Sequence, residues 1–165
     1  EEKIILYVGR ITKRKGGKLL REIIRVNQDI NFILIGKWLE KEIPKFQSSN
    51  LKFFNKVNNE DLAKYYSAAD LVFAYHRQGC QMGIVGEEAL ACGTPILHTK
   101  RVYAPNKEFI IKVDENIREV NNIIKYFFKL PKKKRKELGK EARKYAEKCL
   151  SDEFWKNRYI DFYLR

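Results

Sequence analysis

The sequence predicts an α/β fold, a doubly wound parallel sheet in three layers, on the strength of three observations. Short and nearly continuous apolar runs occupy residues 3–9, 31–36, 51–54, 71–75, 96–98 and 109–113, the pattern of strands covered on both faces. Stretches of helical periodicity lie between many of them, the alternation that builds a parallel sheet of five or six strands. Gly9 and Gly36 close the first two runs and Gly83 opens the helix after the fourth. The three glycines are therefore expected to border one crevice at the carboxyl ends of the strands, where open α/β sheets hold ligands.

Taken in order, residues 3–9 lead into a basic loop, GRITKRKGG at 9–17. A helix is expected over 18–26, with Leu19, Leu20, Ile23 and Ile24 inward. After the strand NFILIG, residues 38–46 have the look of a short helix. Residues 58–69 begin with Asn58 as a cap and Asp61 three positions on, a box-like arrangement with aspartate as the weaker partner. Leu62, Tyr65 and Tyr66 supply its packing face. From about residue 116 the tail turns helical, over 116–130, 132–150 and 152–163, with Pro131 suited to a first helical position.

Length and composition are those of one domain: 165 residues, 44% apolar and 33% charged, enough for a sizeable core and too apolar for wholesale disorder. No run reaches the length of a membrane span and no early segment resembles a secretory leader. Cys80, Cys92 and Cys149 have no metal-ligand spacing. They read as free thiols of a reducing compartment, which points to the cytoplasm or the cytoplasmic face of a membrane. The chain begins with Glu1 and enters a strand almost at once, as a segment of a longer protein would. The net charge of +13 suits nucleic acid, anionic lipid or phosphorylated small molecules. No Cys/His finger, RNA-recognition signature or helix-turn-helix accompanies it, so nucleic acid is not the expected partner.

The stretch GCQMGIVGEEALACGTP at 79–95 carries the chemistry. A helix starting near Gly83 aims unpaired amides at the crevice, a natural seat for a phosphate. Glu88 stands five residues on, roughly 7.5 Å along the axis, where a carboxylate suits ribose hydroxyls better than phosphate. Its neighbour Glu87 faces elsewhere. Arg10 and Lys15, in the loop after the first strand, are placed to clamp a diphosphate. Lys13, Arg14 and Lys18 read as surface charge. A Rossmann dinucleotide domain shares the architecture, but its G-x-G-x-x-G turn after the first strand is absent.

In this frame the chain resembles, nearly end to end, the C-terminal donor-binding domain of a retaining glycosyltransferase of family 4 (glycosyl transferases group 1). That family has the two-domain GT-B architecture, whose C-terminal half is a Rossmann-like doubly wound sheet. The resemblance rests on GRITKRKGG at 9–17, NFILIG at 31–36, NNEDLAKYYSAADLVFAY at 58–75 and MGIVGEEALACGTPIL at 82–97. It implies that residues 1–165 are one nucleotide-sugar-binding domain, from which an N-terminal acceptor domain is missing. The donor would be a nucleoside-diphosphate sugar bound without a metal or other cofactor, and the acceptor a glycan or lipid-linked molecule. Gly83, Ile84 and Val85 would meet the diphosphate, Gly9 would border the substrate site, Arg10 and Lys15 would neutralise the diphosphate, and Glu88 would contact the ribose. By this reading the segment alone is inactive.

The sequence departs from the family pattern at Cys80, where a glutamate eight residues before Glu88 is expected to face the donor sugar. Met82 replaces a phenylalanine in a packing role. His76, Arg77 and Cys80 would then line the sugar subsite, although a histidine after a strand also serves to cap a loop. Cys80 lacks a partnering histidine pattern for nucleophilic work. The alternative reading is a binding or regulatory subunit that kept the nucleotide and lost efficient transfer. His98, after another strand, reads as structural. PKKKRK at 131–136 reads as a solvated face, with phosphates, membrane lipids or an acidic neighbouring domain as the functional alternatives.

Overall fold

The computed structural model describes residues 2–39, 41, 43–76 and 81–156. Its elements in chain order are β1 (Ile4–Val8), α1 (Gly17–Val26), β2 (Asn31–Ile35), β3 (Leu51–Phe54), α2 (Asn59–Ala68), β4 (Leu71–Phe73), α3 (Gly83–Ala91), β5 (Ile96–Thr99), β6 (Ile110–Val113), α4 (Ile117–Lys129) and α5 (Lys132–Cys149). One six-stranded sheet has the order β3-β2-β1-β4-β5-β6, and every pairing is parallel. The order reverses between β1 and β4, so the crevice of a doubly wound sheet falls at the carboxyl ends of those two strands.

The core follows from the apolar runs. Ile5, Leu6, Phe32, Leu34, Leu71, Val72, Ile96 and Leu97 are all at most 1% exposed, which only strands covered on both faces achieve. Helices α1 and α4 pack together, while α3 packs against both α2 and α5. The four apolar positions expected to turn inward on α1 are all buried.

Close backbone approaches tie the layers. Gly36 lies so near Gly9 that a Cβ on Gly36 would fall 2.3 Å from the Gly9 carbonyl oxygen. The Gly9 amide in turn donates to the Ile35 carbonyl at 2.8 Å. A Cβ on Gly139 would meet the Gly93 oxygen at 2.4 Å, so α5 sits directly on the turn between α3 and β5.

Three local expectations are corrected. Residues 38–46 form no helix among those described: Trp38 bridges Ile11 in a parallel β-bridge, and its indole Nε1 donates to the Ile43 carbonyl at 2.7 Å. The aromatic spacing there serves edge-on packing of Trp38 with Phe46 and Phe53. Asn58 precedes α2 but its side chain makes no cap bond, so the Asn58–Asp61 box is not formed; the Asp61 amide reaches the Asn58 carbonyl instead. Pro131 stands before α5 in extended conformation, not at its first helical position. The side-chain cap appears on α4, where Asn116 Oδ1 accepts from the Arg118 and Glu119 amides, a contribution of about 1 kcal/mol. Helix also covers 152–156; the rest of the helix expected over 152–163 lies outside the described residues.

Candidate functional site

The loop after β1 is built by its own short bonds. The Lys15 amide donates to Thr12 Oγ1 at 3.1 Å, and the Gly17 amide to the Thr12 carbonyl at 2.8 Å. Gly16, at φ 70°, starts α1. A Cβ there would lie 2.6 Å from the Tyr75 ring, so the loop closes directly over the end of β4. Lys15 passes above Gly9, its Nζ 3.1 Å from where a Cβ would be. A larger residue at position 9 would displace the ammonium.

On the facing side, Gly83 opens α3 at φ 75° with nothing within 4 Å of a Cβ. No side chain among the described residues caps this helix, and the first amides of a helix have no acceptor within it. Ile84 is 71% exposed. Between the loop and α3 lies a cleft of about 530 Å³, lined by Tyr7, Val8, Lys15, Phe73, Tyr75, His76, Met82, Gly83, Ile84, Val85 and His98 among others. A recess of about 220 Å³ shares Lys15 and His76 and is completed by Arg10, Thr12, Arg14 and Leu39. The amide end of a helix and a lysine thus face each other across a slot with aromatic walls, an arrangement that accepts a diphosphate.

The structure brings together Gly83, Ile84, Val85, Lys15 and His76 in the cleft, and Arg10 in the adjoining recess. Gly9 supports Lys15 from below. Glu88 is outside the residues lining the cleft. It is half-buried, and its Oε2 accepts from the Tyr66 hydroxyl at 2.8 Å. Burial, then the Glu88 carboxylate, push the Tyr66 phenol well above its ordinary range, so it stays a donor and fixes the carboxylate. Arg77 and Cys80 lie outside the described residues.

Two contacts escaped the sequence reading. Arg14 donates from Nε to His76 Nε2 at 3.1 Å, so a residue taken for surface charge sets the orientation of the histidine at the cleft mouth. Tyr66, taken for packing, holds Glu88. Each pair joins residues far apart in the chain, so no local pattern signals it; only the glycine-rich turn and the sheet order bring them together.

His98 is 1% exposed. Its Nδ1 accepts from the Thr99 amide at 2.8 Å, and the ring also interacts with the Met82 backbone, which links the start of α3 to the end of β5. Burial pulls its pKa down from 6.5 to about 4, with the Met82 bond working the other way. An unfolded chain takes up this proton below pH 6.5 and the folded chain only near pH 4. Its stabilising contribution is therefore complete above pH 6.5 and is lost as the pH falls towards 4, by on the order of 3 kcal/mol. Urea unfolding at pH 7 and pH 4.5 is expected to show this loss in the wild type and a smaller one in His98→Gln.

Among the described residues, no group of three or more His, Cys, Asp or Glu side chains is placed to hold a metal ion. Likewise no described helix is long and apolar enough to cross a membrane.

The family model of the glycosyl transferases group 1 matches residues 1–145. Spore coat protein SA of Bacillus subtilis (strain 168) is 27% identical over 172 residues, covering 88% of this chain and 44% of that protein. The chain spans less than half the length of the curated relatives it matches. Among solved structures, a glycosyltransferase from Rickettsia africae ESF-5 superposes with a TM-score of 0.80 at 17% identity, over 99% of this chain and 47% of that one. Anabaena Alr3699/HepE in complex with UDP-glucose gives 0.73 at 18% identity, over 90% and 44%. At such identities the likeness is one of fold.

Proposed function

The chain belongs to the glycosyl transferases group 1 family, and from that premise we propose that it is the donor half of a retaining glycosyltransferase, binding a nucleoside-diphosphate sugar in the cleft between β1 and β4. The observation that carries this reading is the amide end of α3 at Gly83, which no described side chain caps and which lines with Lys15 a cleft of about 530 Å³ at the sheet's switch point. The diphosphate sits on the amides of Gly83, Ile84 and Val85, with Lys15 and then Arg10 meeting its charge. As the glycosidic bond to the donor breaks, negative charge grows on the leaving nucleotide, and these groups stabilise it without reorganising. Glu88, held by Tyr66, keeps its second oxygen for the ribose. His76, set by Arg14, faces the sugar, with Arg77 and Cys80 following it in the chain. Alr3699/HepE has been solved in complex with UDP-glucose and with UDP, which makes UDP a natural first ligand to test here.

The acceptor, a glycan or lipid-linked molecule, is bound by a second, N-terminal domain of the parent protein. Transfer needs both reactants fixed together, so the segment alone binds and does not transfer. Cys80, where the family pattern has a glutamate, favours the second reading, a nucleotide-binding subunit with weak or no transfer. Calorimetric titration of the chain with UDP, GDP and ADP tests the donor reading: at least one is expected to bind saturably, and no heat from any of the three at millimolar concentration would overturn it.

A further inference from the structure

A second concave site lies at the opposite end of the sheet. Asp70 precedes β4 and Pro95 precedes β5, so both stand at the amino ends of their strands. With Ser67, Gly93 and one face of α5 they enclose a groove of about 600 Å³. Six of its lining residues are Lys132, Arg135, Lys136, Lys140, Arg143 and Lys144. The whole of α5 carries nine lysines and arginines against three glutamates, a large part of the chain's net +13.

Several of these cations have structural work, Lys134 among them with its Nζ 3.0 Å from Glu108. Arg135 donates from Nη1 to the Leu130 carbonyl at 2.8 Å, which satisfies the end of α4, and its Nε lies 3.6 Å from Asp70. Arg143 bonds Glu147 at 2.6 Å and the Ala91 carbonyl. Lys136, Lys140 and Lys144 are exposed and make no ion pair among the described residues. They follow Lys132 at intervals of four, so each faces its neighbour one turn away, and every such like-charge pair destabilises a helix by about 0.2–0.5 kcal/mol. The first turn of α5 holds no acid and four cations crowd its positive end, which is again unfavourable and only partly offset by Glu108 beside Lys134 and Asp70 beside Arg135. Glu137 and Glu141, three residues before Lys140 and Lys144, offset part of this, and the remaining excess of cations is suited to anions brought from outside.

We propose that α5 and this groove are a docking surface for the phosphate groups of an anionic phospholipid membrane. The row from Lys132 to Lys148 runs for roughly 24 Å, far longer than one small phosphate needs and matched to many headgroups in a plane. Among the described residues no aromatic ring lines the groove, so none of them can stack a base as single-stranded nucleic acid sites do. The exposed positions of α5 are charged and not apolar, so attachment is electrostatic and reversible, each lysine near such a surface contributing about 1 kcal/mol. The donor cleft, at the other end of the strands, stays open while the surface is occupied.

Co-sedimentation with vesicles tests this. The chain is expected to bind vesicles containing phosphatidylglycerol and not pure phosphatidylcholine, with binding falling steeply as salt is raised. The triple variant Lys136→Glu, Lys140→Glu, Lys144→Glu should bind the anionic vesicles at least tenfold more weakly, with unchanged circular dichroism and unchanged nucleotide titration. Equal binding to neutral vesicles, or wild-type binding by the triple variant, would overturn the proposal. So would tighter binding of duplex DNA or of free inorganic phosphate than of anionic vesicles in the same buffer. A failed nucleotide titration alone would leave it standing and count only against the donor reading.

Discussion

Lys15→Ala is expected to weaken nucleoside diphosphate binding by roughly 30- to 150-fold, the loss of about 2–3 kcal/mol from one charge-assisted bond in a partly enclosed site. The size of the effect follows from position. Lys15 alone among the loop cations lines both the cleft and the recess beside it together with His76, and its backbone is held by Thr12. Arg10 is exposed and reaches only the recess, so a smaller loss is expected there. Lys18, exposed on the first turn of α1, is the control: its removal alters net charge equally and should change affinity by no more than about twofold, as screening dictates. Calorimetric titration of the three variants at one ionic strength checks the ranking.

Gly36→Ala should be the most damaging single methyl in the sheet. Its Cβ would fall 2.3 Å from the Gly9 oxygen and 2.7 Å from the Gly9 carbon, both backbone atoms, at a φ of 135° where side chains are strained. Overpacking and the backbone penalty together amount to about 3–5 kcal/mol, a large part of the stability of an ordinary domain. Relief can come only by moving Gly9, which carries the loop that positions Lys15. Loss of stability and loss of nucleotide affinity are therefore expected together. Gly83→Ala separates the two causes. Its φ of 75° is also left-handed, but nothing lies within 4 Å, so only about 1–2 kcal/mol is expected. Thermal unfolding of the two variants side by side measures the difference.

Much of this architecture can be read from the residues because it rests on local signals. A buried parallel strand writes itself as an apolar run, and all six runs became strands. A helix start such as Gly83 shows in the glycine and the periodicity after it. The failures share a cause as well. Trp38 and Phe46 have helix-like spacing because Phe46, like Phe53, packs edge-on against Trp38, and Pro44 is the signal against a helix there. Asn58 has a capping side chain that the fold leaves unused, whereas Asn116 caps fully. The links from Arg14 to His76 and from Tyr66 to Glu88 depend on how far the chain travels between neighbours in space. Within PKKKRK, read as a solvated face, Arg135 is instead folded onto the end of α4, since a cation there meets unsatisfied carbonyls.

The central claim is that the nucleotide's diphosphate sits between α3 and the loop after β1. A crystal structure of the chain with whichever nucleoside diphosphate it binds tests this most directly. The account predicts phosphate oxygens within about 2.7–3.2 Å of the amides at 83–85 and of Lys15 Nζ, with the ribose turned towards Glu88. A nucleotide seated in the basic groove of α5, with the cleft at Gly83 empty, would contradict it.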